Sequence, residues 1–115
     1  MDTTPLDEFG RLLMTKVRDK AIDEWDAMID GRMKGDTAKK VGKDLKSFSE
    51  EERAILKRLV PEIVDTALHH LMWTLEQHDE VSLRMGTGPE LRSISDGLTG
   101  DLETWKERYS KQRVY

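Results

Sequence analysis

Residues 49–83 read SEEERAILKRLVPEIVDTALHHLMWTLEQHDEVSL, and this stretch decides the fold. Ser49, followed three positions later by Glu52, forms a capping box: the serine oxygen accepts an orphan amide at the helix start, and the glutamate returns to the serine amide. Apolar residues then recur at helical spacing through Ile55, Leu56, Leu59, Val60, Val64, Leu68, Leu71, Leu75 and Val81. Pro61 sits inside that run, where it removes one backbone hydrogen bond and crowds the preceding turn. The spacing predicts a helix from Glu50 to about Leu83, kinked near Pro61 and ended by Gly86-Thr87-Gly88-Pro89.

The first part of the chain carries a second long pattern. Thr4 and Pro5 suit a helix start, and Asp7 and Glu8 favour the positive end of the helix dipole. Leu6, Phe9, Leu13, Val17, Ala21, Trp25 and Met28 form an apolar stripe, with Arg18, Asp19, Asp23, Asp26 and Asp30 on the other side. This predicts a helix from Pro5 to about Met33. Residues 34–48, with five lysines and Gly42, read as a connector with one or two helical turns. Glu90 to Asp96 suits two short turns, Asp101 to Lys111 a final amphipathic helix, and Gln112 to Tyr115 a loose tail.

No segment alternates apolar and polar residues in the manner of a strand. The expected fold is one all-α domain over residues 1–115: a bundle of two long helices plus short C-terminal helices. Two long helices make only one pair of layers, so a third layer must come from the short helices or from a second copy of the chain.

Composition excludes several classes. The chain has 115 residues, of which 37% are hydrophobic and 37% charged, against a usual charged share of about 25%. It contains no cysteine, so disulfide scaffolds, thiolate metal sites and cysteine nucleophiles are excluded. That composition fits the cytoplasm. No apolar run is long enough to span a bilayer, and the N-terminus does not read as a secretory signal. A net charge of −4 argues against a dedicated nucleic-acid binder, and the lysine-rich connector reads as a solvated segment.

The residues with chemical potential lie in the second long helix. On a wheel of about 100° per residue the apolar arc centres on Val64, Ala67, Leu71 and Leu75. Opposite it lie Glu62, Asp65, His69, Glu76 and Glu80, flanked by Met72 and Trp73. Asp65, His69 and Glu76 are the candidate row for a divalent metal or for acid–base work, because imidazole and carboxylate can share a metal or a proton. One helix supplies too few ligands, and no Glu-x-x-His occurs, so the favoured reading of the row is an i, i+4 ion pair between Asp65 and His69. His70 and His78 read as boundary residues. Trp25, Trp73 and Trp105 fall one to each main helical segment, and Trp73, with Met72 beside it, is the interface candidate.

The segments Asp65-Thr66-Ala67-Leu68-His69-His70-Leu71, Leu75-Glu76-Gln77 and Ser95-Asp96-Gly97-Leu98-Thr99-Gly100 resemble a group of small bacterial all-helical proteins of unknown function. The resemblance covers the second half of the chain. It implies a bacterial cytoplasmic protein and brings no activity or catalytic residue with it. The expected function is a non-enzymatic interaction protein, homodimeric and without cofactor, in the manner of an adaptor or of an immunity or antitoxin protein. The alternative is a metal-binding or hydrolytic helical protein using Asp65, His69 and Glu76.

Overall fold

A computed structural model describes residues 4–114. Six α-helices, and no strand longer than a single bridge, make up the described residues. Helix α1 (Thr4–Leu12) runs into a π-helical segment (Leu13–Arg18) and on into α2 (Asp19–Ile29), which together form one rod. Helix α3 (Asp36–Asp44) occupies the connector, and α4 (Glu50–Gln77) is the second long element. The single turn α5 (Leu91–Ile94) and α6 (Leu98–Tyr109) close the chain.

The capping box is present as the sequence predicts. Ser49 Oγ accepts the Glu52 amide at 3.1 Å, and Glu52 Oε1 accepts the Ser49 amide at 2.8 Å. The Ser49 amide, and after it the Ser49 side chain, hold the Glu52 carboxyl below its ordinary value of 4.5. Helix α4 then passes through Pro61 as one element. The proline leaves the carbonyl of Lys57 without its helical donor, and Arg113 Nη2 supplies one at 2.9 Å. The helix ends at Gln77 rather than near Leu83: His78 is extended, and Leu83 enters the core from a loop whose carbonyl accepts the Leu91 amide at 2.8 Å.

The π segment corrects the reading of the first rod. It widens the turn to i→i+5 hydrogen bonding, as where the Asp19 amide meets Met14 O. Everything downstream is displaced by one position. Val17, Ala21 and Trp25 leave the centre of the stripe, while Arg18, Ile22 and Ile29 enter it. Val17 and Trp25 are substantially exposed, and Arg18 and Asp19, expected on the solvent side, are buried.

Two apolar clusters follow. The larger joins α1 (Leu6, Leu13 and Met14 of the rod), the C-terminal half of α4 (Leu68, Met72, Leu75) and the C-terminal helices (Leu91, Leu98, Leu102, Trp105). This end has three layers. The smaller gathers Ile22 and Ile29 from α2, Leu45 after α3 and Val60 from α4, and no C-terminal helix reaches it. The molecule measures 53 × 25 × 21 Å with a radius of gyration of 16.7 Å, against about 13 Å for a compact chain of this length.

Gly10 sits where the rod meets α6. A Cβ built there would lie 2.5 Å from the indole of Trp105, a fully buried ring that also meets Phe9 edge-on at 5.7 Å. Gly10→Ala is therefore expected to destabilise the fold by about 1–3 kcal/mol through overpacking. Gly100→Ala, with open space around its Cβ, should be neutral or slightly stabilising in the same denaturant titration. The depressed Glu52 carboxyl gives a pH signature: its contribution is present above its unfolded value and lost as pH falls through the folded one. Glu52→Gln should lower the melting temperature at pH 7, and the difference should fade in acid.

Candidate functional site

The structure takes the candidate row apart. Asp65 turns away from His69 to meet Arg18, whose Nε and Nη2 reach its two carboxylate oxygens at 2.6 and 3.1 Å. The expected Asp65–His69 ion pair is therefore replaced by a contact across helices. Glu76 Oε1 accepts the Thr99 amide at 2.8 Å and the Thr99 hydroxyl at 3.1 Å, so it caps the start of α6. His69 is exposed, its ring edge-on to that of His70. No group of three or more potential metal ligands gathers among the described residues. Met72, expected at an interface, is 0% exposed in the larger core. Trp73 is half-exposed, and His70 and His78 also face solvent.

Asp65 belongs instead to a buried charged hub. Arg18 is 0% exposed. Beyond Asp65, its guanidinium donates to Ser110 Oγ at 2.7 Å and to the Arg113 carbonyl at 2.6 Å. Ser110 Oγ donates onward to Asp19 Oδ1 at 2.6 Å, and the Lys111 amide donates to Asp19 Oδ2 at 2.8 Å. Lys106 Nζ lies 3.6 Å from Asp65 and 2.9 Å from Glu103. Just outside, Arg113 grips Asp26 with two parallel bonds of 2.8 and 3.0 Å, and the Gln112 amide donates to Asp23. Of the tail expected to be loose, Gln112 to Tyr115, the first two residues are thus tied down, and Tyr115 lies outside the described residues. Each cation in the hub meets a carboxylate, and no buried side-chain nitrogen or oxygen among the described residues lacks a partner. The hub joins elements and leaves no polar group aimed at a ligand.

The open feature of the surface is apolar. Along α4, Ile55, Leu59, Ile63, Ala67 and Leu71 follow one another at intervals of four, and all are exposed. They form a single ridge, with Ile63, 66% exposed, at its middle. Leu71, expected at the centre of the buried arc, is 46% exposed, and the buried face runs instead through Val60, Pro61, Leu68, Met72 and Leu75. Beside the ridge runs a cleft of about 270 Å³. Its walls are Trp25 and Ile29 of α2, Val41, Asp44 and Leu45 at α3, and Leu56, Leu59, Val60 and Ile63 of α4, with Asp44 the one charged residue among them. A recess of about 140 Å³ continues it between Trp25 and Val64. The face lies over the smaller core, where the third layer is missing. Trp73 lies to one side of the ridge, in the sector of Glu62 and His69. The lysines Lys39, Lys40 and Lys43 of α3 point to solvent.

No protein-family model matches this chain, and no curated protein or solved structure matches it. Among the described residues no helix is long and apolar enough to cross a membrane.

Three substitutions separate the hub, the core and the face. Leu68→Asp places an unpaired charge in the core and should abolish folding, at a cost of several kcal/mol. Leu71→Asp, on the ridge, should change stability by no more than about 0.5 kcal/mol. Asp65→Ala strands the buried Arg18 and should cost about 3–5 kcal/mol. Urea titrations followed by circular dichroism check all three.

Proposed function

We propose that this chain is a non-enzymatic interaction protein that self-associates through the apolar face of α4. The observation that carries the reading is the ridge from Ile55 to Leu71 beside a cleft walled by Trp25, Val41 and Leu56. Contiguous apolar surface of this kind marks association sites in soluble proteins, whereas singly scattered apolar residues do not. The fold supports the same reading from the inside. The monomer completes one core with three layers and leaves the other with two, and a symmetric pair of chains is the commonest way to cover such a face.

The charged residues support a non-catalytic role. Two of the three residues the sequence suggested for chemistry are spent on packing: Asp65 neutralises Arg18, and Glu76 caps α6, while His69 is exposed. In this reading the protein works in the bacterial cytoplasm as an adaptor, or as an immunity or antitoxin protein that masks another surface. It carries no cofactor and acts on neither membrane nor nucleic acid.

Sedimentation equilibrium from about 1 to 500 μM tests the reading. The expected result is a reversible shift from 13.3 kDa towards twice that mass. Leu59→Glu should weaken association at least tenfold with an unchanged melting temperature, because Leu59 is half-exposed in the monomer. A monomer throughout that range overturns the reading.

A further inference from the structure

We infer that the second copy crosses the first at Ile63, with a two-fold axis beside that side chain and the ridge of each α4 seated in the cleft of the other. The inference rests on the self-association proposed above and adds its geometry. Three observations carry it. First, the ridge is balanced about its middle: Leu59 and Ala67 lie one turn to either side of Ile63, and Ile55 and Leu71 two turns. An isologous contact needs such a surface, because each helix meets itself around the axis. Second, ridge and cleft lie side by side on one face and share the i±4 spacing of α4. Interlocking i±4 ridges is the commonest way for two helices to pack, crossing at about −50°. Ile63 projects furthest of the exposed large apolar residues among those described, so it is the natural point of closest approach. The ridge itself carries no charged side chain, while Glu62 adjoins Ile63 and Asp44 stands in the cleft wall.

Third, the area fits a pair of this chain. The ridge runs from Ile55 to Leu71, sixteen residue steps or about 24 Å of helix, and with α2 and α3 the face is about 20 Å wide, two helix diameters. That footprint is near 500 Å² in projection and larger in accessible area, approaching the roughly 800 Å² per partner of a standard interface without the extent of an obligate one.

Because the chain has no cysteine, single cysteines report the axis. Ile63→Cys should form a disulfide-linked dimer under mild oxidation at concentrations where the wild type associates. Ile55→Cys and Leu71→Cys lie about 12 Å along the helix to either side and should cross-link at least tenfold less. Excess wild-type chain should suppress the Ile63→Cys product, which a random collision between exposed thiols would not show. All three positions are exposed, and circular dichroism confirms that each variant is folded. If the wild type dimerises but cysteine at position 63 links no better than at 55 or 71, the axis lies elsewhere; this geometry falls and self-association stands. If the wild type stays monomeric at every concentration, the face serves another occupant or none, and both proposals fall.

Discussion

The guanidinium of Arg18 has no contact with solvent, and the rest of the molecule is arranged around that fact. A buried cation without partners costs far more than a domain of this size can spare. Its donors are taken by Asp65 on α4, by Ser110 just after α6 and by the Arg113 carbonyl beyond it. These partners lie 47, 92 and 95 residues away in the chain. One side chain therefore fixes the register of the first rod against α4 and the path of the C-terminal segment over both. A well-packed apolar group of the same shape could match the hub in stability. It could not specify which carboxylate and which carbonyl must meet, and that specification sets the arrangement of the three elements.

The same use of charge recurs at the helix ends. Arg53 donates to the carbonyls of Ile29 and Leu45, serving the C-terminal ends of α2 and α3 with one fork. Arg92 donates to the carbonyls of Leu75 and His78 at the end of α4, at 3.2 and 3.1 Å. Glu76 holds the start of α6, and Arg113 holds the carbonyl that Pro61 leaves open. Each case satisfies a backbone group that a helix cannot satisfy within itself. A charged share of 37% is thereby explained in part without any chemistry: short helices joined by loops have many ends.

How legible this was depends on the kind of signal. The capping box at Ser49 and the two long apolar patterns are local, and they placed the start of α4 and the first rod; the stop at Gly86 to Pro89 did not place the end of α4, which comes at Gln77, where His78 turns extended. Two features defeated the helical wheel. The π segment over Leu13–Arg18 shifts phase within the rod, and a wheel with a fixed turn cannot show it; the pairing of Arg18 with residues far along the chain is what selects that phase. In α4 the wheel averaged two apolar sectors, one facing the core through Leu68 and Met72 and one forming the ridge through Leu59 and Ile63. The mean fell between them, at Leu71. That displaced arc in turn made Asp65, His69 and Glu76 look like one polar row, when two of them face inward to separate partners. The close approach of Gly10 to Trp105 needs residues 95 positions apart, and no local pattern announces it.

The position of the open face follows from where α6 packs. Helix α6 packs across α1 and the C-terminal half of α4, and its indole at Trp105 reaches down to Gly10. From Ser110 to Arg113 the chain turns along α2 as irregular backbone, held by Asp19, Asp23 and Asp26. A strap of this kind can satisfy carboxylates and the carbonyl freed by Pro61, but it has no apolar side to lay over a core. The third layer therefore stops at the hub. Beyond it α2, α3 and the N-terminal half of α4 enclose Ile22, Ile29 and Val60 from one side only. The ridge at Ile63 stands where the next helix of a bundle would pack, and Ile55, Leu59, Ile63, Leu71 and Trp73 gather exposed apolar surface on that one helix.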